Sequence, residues 1–277
     1  MSHQQKVILV YFSPCGTTLK TLNLIAQGMG CTAVEHIDMS KPEERRRKHE
    51  FCSDDVVLYG TSTGALLFAP NKEIFASLQG NGALFVGVAL FGGGYYGVTL
   101  RQLQKRATRQ GFRVIGLGAF IGQHSGNSEM ATGRPDQHDA TIASQFGRDI
   151  AAKAERSDFT LHSPISTGWS SSLLYNTVVF SRLFMLGSDY ELPPFMKKKE
   201  IDADRCIQCH TCEKNCPTEA IDLDSRQFDL SRCVACYRCV NRCPRKAITV
   251  TSGIINAVNR DFAKRLGSKR LEPTIIL

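Results

Sequence analysis

The chain has 277 residues, which is enough for two domains with separate cores. An apolar content of 42% excludes a disordered chain, and no apolar run is long enough to span a bilayer. The net charge of +8 comes without any nucleic-acid fold signature, so we expect a solvated basic surface or a docking face for an acidic partner. Nucleic-acid binding is the less favoured alternative and stays open.

The N-terminal residues 1–14 lack the length and the cleavage pattern of a signal peptide, and they predict a first strand directly. We therefore expect a cytoplasmic protein. Thiols stay reduced in that compartment, so clusters among the 11 cysteines indicate metal binding rather than disulfides.

Residues 1–155 alternate strand and helix patterns. Apolar and β-branched runs predict five strands, at 7–12, 32–37, 56–59, 83–90 and 113–120. The segments between and after them predict helices at 18–29, 42–50, 71–78, 98–110 and 136–155. Five βα units in series indicate an α/β domain, in which helices cover both faces of a parallel sheet.

Residues 156–199 predict a linker, because serine and proline replace the alternation of strands and helices. Its apolar stretch 172–187 is expected to bury one side against a domain. A membrane-surface or partner-docking helix is the alternative, because Asn176 and Arg182 interrupt the apolar run. Residues 200–252 form a second predicted domain, and 253–277 a polar C-terminal extension.

Eight of the cysteines form two copies of C-x₂-C-x₂-C-x₃-C-P, at residues 206–217 and 233–244. Three thiolates at this spacing can wrap around three irons of a cubane, whereas the fourth lies too far along the chain and reaches the other cluster. Zinc in Cys₄ knuckles is the competing interpretation, but it leaves thiols surplus. We predict two 4Fe-4S clusters, one bound by Cys206, Cys209, Cys212 and Cys243, the other by Cys233, Cys236, Cys239 and Cys216.

These motifs resemble those of the two-cluster bacterial ferredoxins, and the resemblance covers residues 200–251. It implies a small α+β domain and low-potential transfer of single electrons. One departure concerns charge, because ferredoxins are usually acidic, whereas residues 197–277 carry 16 Lys and Arg against 10 Asp and Glu. The excess of positive charge should raise the reduction potentials of the clusters. It also puts the docking partners usual for ferredoxins in doubt.

Three polar or glycine-rich loops follow the first, third and fourth predicted strands. Residues 13–18 place hydroxyls and free amides at a helix start, which suits a phosphate, although a turn with an N-cap uses the same residues. Residues 60–64 are small and polar, and residues 91–97 combine glycines with two tyrosines. In a doubly wound sheet such loops converge at the topological switch point.

The N-terminal domain thereby resembles flavodoxins, whose strand order 2-1-3-4-5 places FMN at that point. The first loop is similar to the flavodoxin motif Ser/Thr-x-Thr-Gly-x-Thr, with Cys15 at the central threonine. The resemblance implies phosphate binding by the first loop and a tyrosine stacked on the ring, Tyr96 in preference to Tyr95. The implied FMN set is Ser13, Cys15, Gly16, Thr17, Thr18, Thr61, Ser62, Thr63, Gly64, Phe91, Gly92, Gly93, Gly94, Tyr95 and Tyr96.

As a whole the chain resembles the flavodoxin–ferredoxin fusion proteins. We predict electron transfer between two 4Fe-4S clusters and FMN, in a carrier that serves a partner enzyme. Redox proteins with an acidic docking face are the expected partners, without nucleic acid or a membrane span. The alternative is a flavin-dependent reductase of a small organic acceptor, fed by its own clusters, so whether the protein is an enzyme stays open.

A few remaining side chains have simpler interpretations. His124 is expected to be a hydrogen-bonded structural residue, with proton donation as the alternative. Cys31 and Cys52 are expected to be inert, half-buried thiols. The basic run 45–48 predicts an exposed helix face, and Trp169 an anchor for its segment.

Overall fold

The structure is a computed structural model. It describes residues 6–31, 34–63, 71–163, 165, 194–253, 256–257, 260, 263–264 and 270–277. The predictions for Gly64, for Trp169 and for the apolar stretch 172–187 concern residues outside this described part.

A six-stranded sheet organises the N-terminal domain. Five of its strands are parallel, namely β1 (Val7–Tyr11), β2 (Glu35–Asp38), β4 (Val56–Ser62), β6 (Leu84–Phe91) and β7 (Arg113–Ile121). They lie side by side as β2-β1-β4-β6-β7, which is 2-1-3-4-5 when these five are counted along the chain. Strands β1 and β6 are buried throughout, because helices cover both faces of the sheet.

The two faces of the sheet carry separate apolar cores. On one face pack α1 (Thr17–Gly28) and α5 (Gln137–Glu155), and on the other α3 (Asn71–Ser77) and α4 (Thr99–Arg109). Helices α1 and α5 touch backbone to backbone, because a Cβ at Gly28 would overlap the Ser144 carbonyl and one at Gly147 the Ile25 carbonyl. The α/β prediction is confirmed.

Helix α2 (Pro42–Arg46) is shorter than predicted. The chain becomes extended at Arg47, and β3 (His49–Glu50) then pairs in parallel with β5 (Leu78–Gln79). Pairing with β5 overrides the local helix pattern, and the neighbouring Phe51 is buried. The prediction of an exposed basic face is also wrong for Arg45. Its guanidinium is buried and donates to the Met39 and Pro217 carbonyls.

The sixth strand comes from the C-terminal extension, where sequence analysis predicted none. Strand β12 (Thr274–Ile276) pairs antiparallel with β7. The Leu277 carbonyl accepts from the amides of His162 and Ser163, and Arg134 donates to the Leu271 carbonyl. The extension therefore covers a sheet edge that would otherwise be open.

We expect Ile276→Ala to lower the free energy of unfolding by about 2 kcal/mol, since the side chain is buried in the core and its loss leaves a cavity. Thr274→Ala, on the same strand but only partly buried, is the control and should change stability by less than about 0.5 kcal/mol. Urea unfolding followed by circular dichroism measures both, and equal effects would show that β12 does not dock as described.

The C-terminal domain is built from two short hairpin-like sheets and two one-turn helices. Strand β8 (Lys199–Ile201) pairs with β11 (Ile248–Val250), and β9 (Ile221–Asp222) with β10 (Gln227–Phe228). Helices α6 (Thr211–Lys214) and α7 (Arg238–Arg242) each follow a residue in the left-handed region, His210 and Tyr237. The sequence duplication is thus also a duplication of the backbone.

No helix in the described ranges has both the length and the apolar character that crossing a membrane requires.

Candidate cofactor site

The eight motif cysteines fall into two groups of four around two cavities. The first cavity is lined by Cys206, Cys209, Cys212 and Cys243. The second is lined by Cys233, Cys236, Cys239 and Cys216. Each group takes its fourth cysteine from the other motif, which is the grouping that the spacing predicts.

Backbone amides point at the sulfurs in both groups. The Ala220 amide donates to Cys216 Sγ and the Ala247 amide to Cys243 Sγ, each over 3.2 Å, and these are matching positions of the duplicated motif. Such bonds stabilise negative charge on sulfur.

The lining of the cavities fits an iron–sulfur cluster. Four cysteines line each cavity, and a 4Fe-4S cubane takes four thiolates, one on each iron.

The two cavities differ in their access to solvent. Cys209 of the first group is exposed, and a hydrogen bond with the Thr211 hydroxyl lowers the pKa of its thiol. In the second group, burial raises the pKa of Cys239 to about 12 and also raises the pKa of Cys236. The first cavity therefore lies near the surface, and the second lies deeper.

The first loop of the N-terminal domain keeps amides open at the start of α1. Ser13 Oγ accepts from the Leu19 amide over 3.0 Å, so this hydroxyl caps the helix. Gly16 has φ +92°, which favours glycine, and it directs the chain into the helix. In the described part of the chain, no acceptor binds the amides of Thr17 and Thr18. Open amides at the positive end of a 12-residue helix suit an anion.

Cys15 occupies the position where the flavodoxin motif has threonine, and it points toward the C-terminal domain. Its Sγ donates to the Cys236 carbonyl over 3.3 Å and lies 3.6 Å from Asn241 Nδ2. Burial raises the pKa of the Cys15 thiol, so the group remains protonated. The departure from the motif thus coincides with a contact between the domains.

The second and third loops lie at the same end of the sheet. In the second, Ser62 is exposed, whereas Thr61 and Thr63 are buried and Thr63 Oγ1 bonds to Thr99 Oγ1 over 2.5 Å. In the third, a Cβ at Gly94 would meet no atom within 4 Å, so this position is open.

The structure separates the two tyrosines of the third loop. Tyr96 is only 7% exposed and packs in the core beside Phe91, with 5.6 Å between ring centroids. Tyr95 is half-buried. A stacking ring needs one accessible face, so the geometry favours Tyr95 over the predicted Tyr96.

Comparison with known proteins adds to this picture. Residues 200–247 match the family model of the 4Fe-4S dicluster domain. Among solved structures, an archaeal flavodoxin has 20% identity and a TM-score of 0.36, covering 54% of this chain and 99% of its own. Two-electron reduced Megasphaera elsdenii flavodoxin has 18% identity and a TM-score of 0.37, covering 53% and 98%. No curated protein matches.

The chain has the architecture of a flavodoxin–ferredoxin fusion. Its flavodoxin-like part follows from the strand order, and its C-terminal part is an iron–sulfur domain by the family match.

The second cysteine group forms the contact between the two parts of the fusion. Besides the bond from Cys15, Asn241 donates to the Ser125 carbonyl over 2.9 Å, and the Tyr237 ring edge packs against Gly126. At the other side, Arg45 donates to the Pro217 carbonyl, directly after Cys216. No local sequence pattern indicates these contacts of Tyr237, Asn241 and Arg45, because the partners lie on the opposite domain.

His124 lies between the glycine-rich loop and this contact. Its ring packs so closely on Gly92 that a Cβ there would overlap it. Its Nδ1 accepts from the Gly126 amide over 3.1 Å, which places the proton of the neutral ring on Nε2. His124 is therefore a hydrogen-bonded structural residue, and its partner is the Gly126 amide. Of the other single residues, Cys31 is half-buried as expected, but Cys52 is exposed because it lies in a surface turn.

Burial lowers the pKa of His124, so the unfolded chain binds the proton more readily than the folded one. The stability that this neutral histidine contributes is present above the ordinary histidine pKa of about 6.5 and is lost as the pH falls below it. We expect the stability difference between the native protein and His124→Asn to shrink between pH 8 and pH 5.5 in urea titrations. A difference that stays constant over this range would contradict the prediction.

Proposed function

We propose that the protein transfers electrons between two 4Fe-4S clusters and FMN, and that it serves a partner enzyme as a redox carrier. The proposed division is 1–155 for the flavodoxin-like domain, 156–199 for the linker, 200–252 for the ferredoxin domain and 253–277 for the extension that returns to the sheet. When bound, clusters of this type carry single electrons whereas FMN collects two, so the combination converts electron number.

The observation that carries this proposal is the contact between the second cysteine group and the loops proposed for FMN. Cys15 of the first loop touches the backbone of Cys236, and Tyr237 touches Gly126 beside His124. Any cluster held by Cys236 therefore lies beside the crevice at the carboxyl ends of the strands. A covalent link between the domains also replaces a diffusional encounter.

The proposed flavin contacts are made by the open amides and the accessible positions of the three loops. The amides of Thr17 and Thr18 bind the phosphate, at the positive end of α1. Ser62 and Gly94 line the isoalloxazine position because they are exposed or unobstructed, and Tyr95 supplies the stacking face. Thr18, Thr61 and Tyr96 support these loops from below, since their side chains are buried.

The proposed partner surface surrounds the first cysteine group. Cys209 is exposed, and the neighbouring Ile207 is 58% exposed although it is apolar. Exposed Arg245 lines the cavity of this group, and exposed Lys246 follows it. An apolar centre beside these cations suits a redox protein with an acidic docking face. Electrons from such a partner enter at the outer group and leave at the inner one.

The alternative function, reduction of a small organic acceptor at the flavin, rests on His124. A neutral imidazole with its proton on Nε2 beside Gly92 could donate that proton to an acceptor. Acceptor screening against the native protein and His124→Asn distinguishes the two functions. Turnover that depends on His124 supports the reductase, and no turnover with any acceptor supports the carrier.

The proposed cofactors are tested on protein purified without oxygen. We expect iron and acid-labile sulfide in equal amounts sufficient for two 4Fe-4S clusters, with one FMN released by acid. Dithionite titration followed by EPR and visible absorbance should show both cluster and flavin signals. Zinc in place of iron, or FAD in place of FMN, would refute the corresponding part of the proposal.

A further inference from the structure

Lys199 places a buried positive charge on the second cysteine group. Its side chain enters from β8, and the residue is only 8% exposed. The ammonium Nζ donates to Cys233 Sγ over 3.3 Å and to the Lys197 carbonyl over 3.0 Å. A charged donor on a ligand sulfur interacts more strongly than the neutral amides that contact Cys216 and Cys243.

Two aromatic rings enclose this ammonium. The centroid of the Tyr237 ring lies 5.5 Å from Nζ, and that of Phe228 lies 5.9 Å away. Tyr237 is the same residue that packs on Gly126 of the flavodoxin-like domain. The rings keep water from the ammonium, so its field acts on Cys233 with little screening.

The first cysteine group has no equivalent within the described ranges. Apart from its cysteines and Thr211, the residues that line its cavity are apolar, with the exception of Arg245. Arg245 is exposed, so solvent screens its charge. The two sites are therefore built with the same cysteine spacing but with different electrostatic surroundings.

We propose that Lys199 raises the reduction potential of the cluster at the second cysteine group above that of the cluster at the first. Reduction adds one negative charge to a cluster, and a buried cation 3.3 Å from a ligand sulfur stabilises the reduced state. Burial of the site opposes this, because it disfavours added negative charge, and Lys199 offsets that cost. The proposal rests on the proposed function, since it assumes that both groups hold clusters.

The consequence is a direction for electron flow. If the second group has the higher reduction potential, an electron that enters at the exposed first group moves on to the second. It is then held beside the flavodoxin-like domain. In this proposal Lys199 acts on the cluster through its charge and contacts no substrate.

The test is a redox titration of Lys199→Met, followed by EPR. We expect one of the two cluster transitions, the one at higher potential in the native protein, to move to lower potential. The expected size is at least a tenfold change in the ratio of reduced to oxidised cluster at a fixed potential, which is about 59 mV for one electron. Lys198→Met, which removes the exposed neighbour, should leave both transitions in place, and Lys199→Arg, which keeps the positive charge, should leave the transition close to its native potential.

Two outcomes would overturn the proposal: unchanged transitions in Lys199→Met, or equal shifts in Lys198→Met and Lys199→Met. If Lys199→Met fails to assemble its cluster, Cys216→Ser gives an independent measurement, because it must remove the transition at higher potential. Removal of the transition at lower potential overturns the inference. If the native protein shows no pair of cluster signals, the proposed function itself is wrong, which distinguishes the two failures.

Discussion

Cys216→Ser should lose about half of the iron and sulfide of the native protein and keep one intact 4Fe-4S signal. Cys216 belongs to the first motif, but its thiol lines the cavity of Cys233, Cys236 and Cys239 of the second. Serine oxygen is a poor substitute for a thiolate on iron. Metal analysis and low-temperature EPR of protein prepared without oxygen measure both quantities.

Three further variants make this experiment decisive. Cys243→Ser is the mirror change, because Cys243 lines the cavity of Cys206, Cys209 and Cys212. It should remove the other signal. Cys31→Ser is the matched control, since Cys31 lies in neither motif and is only half-buried. If Cys216→Ser and Cys206→Ser remove the same cluster, the crossed grouping is wrong.

Arg45→Ala should be the most destabilising substitution among the basic residues of α2. Its guanidinium is buried and donates to the carbonyls of Met39 and Pro217, and it also pairs with Glu73 over 3.1 Å. Truncation leaves both carbonyls without this donor, so we expect a loss of about 3 kcal/mol in the free energy of unfolding. The midpoint of urea unfolding, followed by circular dichroism, gives the value.

Arg47→Ala is the control for this substitution. Arg47 lies two residues away and is exposed, and among the residues that the structure describes it pairs with Glu44 at the surface over 3.3 Å. Such pairs contribute little, so we expect a change below about 0.5 kcal/mol. Because Arg45 holds the residue after Cys216, its loss should also slow flavin reduction in stopped-flow measurements. A stable Arg45→Ala protein with native kinetics would contradict the role of this contact.

Much of the α/β domain could be predicted because the sequence patterns that specify its strands and helices are local. Apolar runs and helix patterns alternate along the chain, and right-handed crossovers leave few ways to arrange five parallel strands. What failed depends on partners far away in sequence. Helix α2 ends early because His49–Glu50 pairs with Leu78–Gln79, and β12 exists because the edge of β7 is open to it.

The same distinction applies to the site. The division of the cysteines into two groups follows from spacing, because spacing limits which thiols can reach one centre. The departure of Cys15 from the flavodoxin motif was visible, but its contact with Cys236 was not. The role of Lys199 was also hidden, because the run 197–199 does not show that Lys197 and Lys199 are buried while Lys198 is exposed. Both contacts depend on residues far away in sequence, on the other domain for Cys15 and on the second motif for Lys199, which no local pattern records.

The return of the chain to the first sheet has a consequence for dissecting the molecule. The ferredoxin part leaves the flavodoxin-like part through residues 156–199 and rejoins it through β12, so it is topologically an insertion. A single proteolytic cut in the linker would leave two fragments that still share one sheet. Expression of residues 1–155 alone would instead expose the bare edge of β7, inviting strand exchange between copies. Half-molecules intended for spectroscopy should therefore carry the last eight residues on the flavodoxin side.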